Sequence, residues 1–239
     1  MTKLSVNINK IATIRNARGG NMPDVEKAAV DCVRFGAEGI TVHPRPDERH
    51  IRYADARAIK KLIDVEMNIE GNPIPKFIDL VNEVVPTQVT LVPDAENVIT
   101  SNAGWDTLKN RDFLTEVCKE FKSRGIRTSI FIDPDPKMAE GAAACGADRV
   151  ELYTEAYASG YEGGRETAVR PYVLAAERAR ECGLDVNAGH DLSLVNLEYF
   201  IRSIPWTAEV SIGHAIICDA LYMGLEKTIH EYLSKIKIF

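Results

Sequence analysis

The sequence predicts an α/β protein, a (β/α)8 TIM barrel with a parallel eight-stranded sheet and additional helices in the loops, from three observations. Four stretches repeat one joint, a helix end followed by glycine and an apolar run: RFGAEGITV at Gly36, SRGIRTSIF at Gly125, ACGADRVEL at Gly146 and ECGLDVNAG at Gly183. Glycine suits the position after a helix because it enters the left-handed conformation without a Cβ clash, and the β-branched run beyond it starts a strand. Strand-like and helix-like segments also alternate eight times along the chain. Finally, NINKIATIRNARGG after the first strand lacks the G-x-G-x-x-G of an open doubly wound sheet. A chain of 239 residues fits one such barrel, so a single domain over 1–239 is expected.

The strands are placed, in order, at Leu4–Ile8, Gly39–His43, Glu66–Glu70, Gln88–Val92, Thr128–Ile132, Arg149–Leu152, Asp185–Ala188 and Glu209–Ile212. Helices are expected at Asp24–Phe35, Ala54–Asp64, Pro75–Val85, Arg111–Arg124, Pro136–Cys145, Arg165–Cys182, Leu192–Ser203 and Ala215–Lys235, each with apolar residues at helical spacing. Two connections exceed what a barrel needs. Pro93 to Asn110 and Tyr153 to Gly164, the latter holding Gly160, Gly163 and Gly164, are read as loops suited to lids or subunit contacts.

Lys and Arg number 29 against 35 Asp and Glu, a net charge of -6, and no basic tail occurs, which argues against a nucleic-acid partner. Anionic ligands must be met by local groups. The start, MTKLSVNINK, has too short an apolar run for a signal peptide, and no window approaches the ~20 apolar residues of a membrane span, so a cytoplasmic protein is expected. The five cysteines (Cys32, Cys118, Cys145, Cys182, Cys218) form no C-x-x-C, fall in helical stretches and read as buried reduced thiols.

In a barrel the chemistry stands at the C-terminal ends of the strands. There the strands carry Asn7 and Asn9, His43 and Arg45, Glu70, Glu151, Asn187 and His190, then Gly213 and His214. Parallel strands covered on both faces should be almost wholly apolar, so each polar interruption needs a reason. In TVHPRPDERHIR, Pro44 and Pro46 stiffen a loop that holds His43 for proton transfer, while Arg45, His50 and either Arg49 or Arg52 offer donors to an anion. SIGHAI suggests a second anion site at a glycine and the start of the last helix, with Arg18 of RNARGG as a further donor. His230 reads as solvated surface and Asp133 as a helix-capping turn residue.

These motifs resemble the pyridoxine 5′-phosphate synthase family of vitamin B6 biosynthesis. VNINKIATIRNARG, GITVHPRPDERHI, MNIEGNP, LVPD, SIFID, VELYTEAYA, GLDVNAGHDL and IGHAII carry the likeness over nearly the whole chain. The resemblance implies a transferase-class enzyme without metal or cofactor. It would condense 3-amino-2-oxopropyl phosphate with 1-deoxy-D-xylulose 5-phosphate to pyridoxine 5′-phosphate, phosphate and water. It further implies His43 and Glu70 as proton acceptors, His190 as donor and Glu151 as transition-state stabiliser. Asn7, Arg18, Gly213 and His214 would hold the aminoketone phosphate, and Arg45, His50 and Thr100 the deoxyxylulose phosphate. The family pattern departs at Asn9-Lys10, where Asp-His is common, and at Asp191, where glycine is common. Asn9 and Lys10 retain hydrogen-bond donors for substrate, and Asp191 keeps its backbone contact while setting a carboxylate beside His190. The resemblance also implies a homo-octamer built from dimers.

The chief rival is a metal-dependent sugar-phosphate isomerase or aldolase, with His43, His190, His214, Glu70 and Glu151 converging on an ion, though no H-x-H or H-x-x-x-H spacing occurs. A phosphate-ligand sensor on the same scaffold would need the anion clamps but not four proton-transfer groups.

Overall fold

The structure, a computed structural model, describes residues 1–94 and 103–238. Its strands are β1 (Lys3–Asn7), β2 (Gly39–Val42), β3 (Glu66–Gly71), β4 (Gln88–Leu91), β5 (Arg127–Ile132), β6 (Arg149–Tyr153), β7 (Asp185–Gly189) and β8 (Thr207–Ile212). All pair in parallel and close in the order β1 to β8, with Val6 of β1 opposite Ile40 of β2 on one side and Ile212 of β8 on the other.

Along each strand the side chains alternate in kind. Leu4, Val6, Ile40, Val42, Met67, Ile69, Val89, Leu91, Ile130, Ile132, Val150 and Leu152 are fully buried in the apolar core between barrel and helices. Most of the alternate residues are polar, and several of their hydrogen bonds link strands that are not neighbours. Thr90 on β4 reaches Glu151 on β6 at 3.4 Å, Ser211 on β8 reaches Thr41 on β2 at 3.1 Å, and Arg149 on β6 reaches Glu209 on β8 at 3.3 Å. Such bonds can only cross the barrel interior. The expectation of almost wholly apolar strands is therefore corrected: polar residues predominate on the inward side of the strands, with Phe131 of β5 an exception, and most are held by hydrogen bonds to one another in place of water.

Outside the barrel lie α1 (Asn9–Arg18), α2 (Val25–Arg34), α3 (Tyr53–Leu62), α4 (Pro75–Val84), α5 (Arg111–Ser123), α6 (Pro136–Ala144), α7 (Glu155–Glu181), α8 (Leu197–Ser203), α9 (His214–Met223) and α10 (Leu225–Ile236). Four departures from the sequence reading have physical causes. Residues 9–18, left without an element, form α1, anchored by the buried Arg15. Tyr153 to Gly164 is not a loop: Glu155 opens a helix that bends at Gly164 (φ 158°, ψ 87°) and continues to Glu181. The buried Tyr157 holds this first half in place, its hydroxyl donating to the Asn196 carbonyl at 2.7 Å and its ring meeting Tyr161, Tyr172 and Phe200. The eighth helix begins at Leu197 rather than Leu192, because Asn196 accepts from the Ser193 N–H at 2.8 Å and closes a turn there. The final helix is split at Gly224, whose φ of 80° breaks it into α9 and α10.

Cys32, Cys118 and Cys145 are buried thiols as expected, but Cys182 is partly exposed at a helix end and Cys218 is exposed on α9. His230 lies exposed on α10, and the cap of α6 is Asp135 while Asp133 accepts from the Gly104 N–H at 3.2 Å. No helix among the described residues is long and apolar enough to cross a membrane.

Candidate active site

The strand ends surround a cavity of about 350 Å³. Of the residues singled out in the sequence, Asn7, Asn9, Lys10, His43, Arg45, His50, Glu70, Glu151, His190, Asp191, Gly213 and His214 line it. Arg18 does not: it is exposed at the C-terminal end of α1, outside the lining. Thr100 lies outside the described residues. Arg49 and Arg52 are also off the wall, Arg49 bonding Asp47 at 2.7 Å and Arg52 bonding Asn16 at 3.1 Å.

The β1 end sets the positions of its neighbours. Asn7 accepts from the Asn9 N–H at 3.1 Å and donates to Glu70 at 3.4 Å. Asn9 in turn accepts the backbone N–H of His43 at 2.9 Å, fixing the start of the HPRP loop. That loop is held from behind by Arg15, only 1% exposed, whose guanidinium takes both oxygens of Asp55 at 2.7 and 2.9 Å and donates to the His50 carbonyl at 3.0 Å. A bidentate pair of this kind fixes orientation as well as charge.

His43 stands between two carboxyl groups, with Nδ1 3.8 Å from Glu70 and Nε2 3.6 Å from Asp94. Burial, then the nearby Arg45, His50 and His190, holds it well below the usual imidazole range, so it is a neutral base. His50 is lowered to about 4 by burial and by Arg45 and Lys10. Its Nδ1 accepts from the Ile51 N–H at 2.9 Å, which leaves a neutral Nε2–H as a donor.

Glu70 is pushed up to about 8, by burial first and then by the Asp94 and Glu209 carboxylates, against a weak opposing bond from Ser211. Burial and the charges of Glu70 and Glu209 also raise Glu151 well above the carboxylate range. Both carboxyls are thus biased toward their protonated forms by burial and by the acidic groups around them. Glu151 fits because β7 ends in glycine: a Cβ at Gly189 would lie 2.5 Å from the Ser211 carbonyl and 2.8 Å from Glu151.

His190 takes a left-handed conformation (φ 77°), a strained state for a side-chain-bearing residue and one that recurs at working sites. Its Nδ1 donates to Asp191 at 2.6 Å and its ring stands edge-on to Tyr153. At the end of the neighbouring β8, Gly213 packs so closely on Asn7 that a Cβ there would lie 3.0 Å from it. His214 begins α9, so the unpaired N–H groups of that helix start face the mouth, an arrangement suited to an anion.

Three lining residues were not anticipated: Val92, Phe131 and Ser211. Asp94, the acidic end of LVPD, stands beside His43 and Arg45, a position that its sequence context does not signal. Ser211 shares the inward parity of Glu209 and Gly213, a signal the sequence does contain. Val92 and Phe131 read as core because they are apolar. No group of three or more His, Cys, Asp or Glu among the described residues is arranged to hold a metal ion.

Known proteins resemble the chain at two levels, fold and family. Solved phosphoribosyl anthranilate isomerases share the fold: that of Thermotoga maritima at TM-score 0.63 and 16% identity, and that of Pyrococcus furiosus at 0.64 and 12%, each covering 100% of both chains. Likeness this remote speaks for the fold alone. Curated pyridoxine 5′-phosphate synthases are far nearer. That of Christiangramia forsetii is 65% identical over 237 residues, covering 99% of this chain and 100% of its own. That of Bacteroides thetaiotaomicron is 65% identical over 232 residues, covering 97% and 98%. The model of the pyridoxal phosphate biosynthesis protein PdxJ matches residues 4–238. Over that span the chain carries the family's sequence on a closed parallel barrel, and it belongs to the PdxJ family of pyridoxal phosphate biosynthesis enzymes.

Proposed function

We propose that the chain, working as one domain over residues 1–239, is a pyridoxine 5′-phosphate synthase that joins 3-amino-2-oxopropyl phosphate to 1-deoxy-D-xylulose 5-phosphate. The observation that carries the reading is the gathering of neutral His43, proton-holding Glu70 and Glu151, and His190 around one cavity with donors at both ends. Joining the amine of one substrate to the ketone of the other forms an imine and releases water. Enolisation, loss of phosphate and ring closure then follow as proton transfers, which acids and bases of separated pKa can serve.

His43 and Glu70 accept protons, His190 donates to leaving oxygens, and Glu151 stabilises the charge that develops below the ring. Asn7, Arg18, Asp191, Gly213 and His214 hold the aminoketone phosphate, while Asn9, Lys10, Arg45, His50 and Thr100 hold the deoxyxylulose phosphate. The helix start at His214 and the neutral donor of His50 support two separate anion sites. Arg18 lies off the cavity wall within one chain, so its contact requires movement of the end of α1 or a second copy. The chain works in the cytoplasm as a homo-octamer; the exposed Leu221 (72%) and Tyr222 (92%) on α9 support an assembly that covers them.

The test is turnover by the purified protein given both phosphorylated substrates. Pyridoxine 5′-phosphate and inorganic phosphate should appear in equal amounts. A folded protein that yields neither contradicts the reading.

A further inference from the structure

We propose that Asp94 is a positioning residue that locks His43 and Arg45 into one geometry, so that the proton acceptor and the anion clamp are oriented as a unit. The inference rests on the reading above, in which His43 moves protons and Arg45 meets a phosphate.

Asp94 is fixed from its backbone outward. It follows β4 by way of Val92 and Pro93. The Val92 N–H donates to the Gly71 carbonyl at 2.9 Å, and the Asn72 side-chain amide donates to the Asp94 carbonyl at 2.9 Å, so the end of β3 grips the chain on both sides of a proline whose φ is itself set. The side chain is 6% exposed, and one of its oxygens serves two groups, standing 2.7 Å from Arg45 and 3.6 Å from His43 Nε2.

The opposite edge of the same imidazole faces Glu70, with Nδ1 at 3.8 Å, and the His43 backbone is tied to Asn9. Asp94 thus completes a frame around the ring. It does not border the main cavity. It borders a small enclosed space behind it, shared with Tyr53, Phe77 and Asn72, and it acts on the main cavity through His43 and Arg45.

The arrangement has an energetic reason. Arg45 is only 5% exposed, and a guanidinium buried without a carboxylate is strongly unfavourable. Asp94 provides that partner before substrate arrives, and because the same oxygen faces the imidazole, the orientation of one group constrains the other. Displacements of about 1 Å at such groups reduce rates by roughly a hundredfold.

Steady-state kinetics of Asp94→Asn, Asp94→Glu, His43→Ala, Arg45→Ala and the Asp94→Asn/Arg45→Ala double variant test the inference. Asp94→Asn keeps the shape and loses the charge. It should lower kcat about tenfold or more and raise the KM of the deoxyxylulose phosphate while leaving that of the aminoketone phosphate within about twofold. Asp94→Glu should restore most of the rate, and the double variant should be little worse than Arg45→Ala. Asp94→Ser replaces Asp94→Asn in the same comparison if the latter does not fold.

Normal kinetics in Asp94→Asn, equal increases in both KM values, or strictly additive losses in the double variant would overturn the positioning role while leaving the catalytic reading intact. Unchanged turnover in His43→Ala and Arg45→Ala would instead remove the reading on which it rests.

Discussion

Glu70 keeps its proton up to about pH 8 because burial and the carboxylates of Asp94 and Glu209 disfavour its charged form. Two consequences follow from this one residue. As a base, Glu70 must lose that proton, so kcat/KM should rise with pH toward about 8 and the rise should vanish in Glu70→Gln. His43, already neutral, should contribute no limb near pH 6.5. For stability the sign is opposite. The folded pKa lies above the unfolded value of 4.5, so the favourable contribution is complete below 4.5 and is lost as pH rises through about 8. Glu70→Gln, an uncharged mimic of the protonated form, should therefore be more stable than the parent at pH 8.5, and the gap should close toward pH 5 in denaturant titrations. Most of the cavity wall was legible at this scale because strand ends are where a barrel works. Asp94 was not, since an acidic residue in a loop after a proline looks like turn chemistry until Arg45 is seen against it.

At the scale of elements, supports outside the cavity decide whether it forms. Arg15 joins α1 to Asp55 of α3 and to the His50 carbonyl. Arg15→Ala should destabilise the fold by about 3–5 kcal/mol in urea titration, since it leaves a buried carboxylate unpaired, and should weaken binding at His50. Gly189→Ala sets a methyl within 2.5 Å of the Ser211 carbonyl and 2.8 Å of Glu151, and should cost stability and reduce kcat together. These elements explain which parts of the fold escaped the sequence. The buried face of α1 is Ala12 and Arg15, so it lacks the apolar stripe by which helices are recognised. The first half of α7 carries Gly160 and Gly163, each costing about 1 kcal/mol in a helix, and distant contacts such as those of Tyr157 with Asn196 and Phe200 offset them. Four of the strands, β2, β5, β6 and β7, were legible because β-branched runs after Gly36, Gly125, Gly146 and Gly183 announce themselves locally, and the other four complete the same alternation.

At the scale of the molecule, the strands place aliphatic residues toward the helices and a hydrogen-bonded polar set inside. The alternation is present in SVNIN and MNIEG, but parallel strands covered on both faces are expected to be apolar throughout, which obscured it. Because Glu70 and Glu151 stand above this polar interior, both feel the charge of Glu209, which Arg149 in turn meets at 3.3 Å. The surface makes its own prediction. If α9 is covered in the assembly, Leu221→Asp with Tyr222→Glu should reduce the particle mass measured by light scattering, with the fold preserved by circular dichroism.

In the proposed mechanism strand-end acids and bases, Glu70 foremost, carry out the condensation. The most direct measurement is the rate of pyridoxine 5′-phosphate formation by Glu70→Gln beside the parent chain, both substrates saturating. A folded variant at least about a hundredfold slower is the result expected for a general base. A variant as fast as the parent would contradict the account.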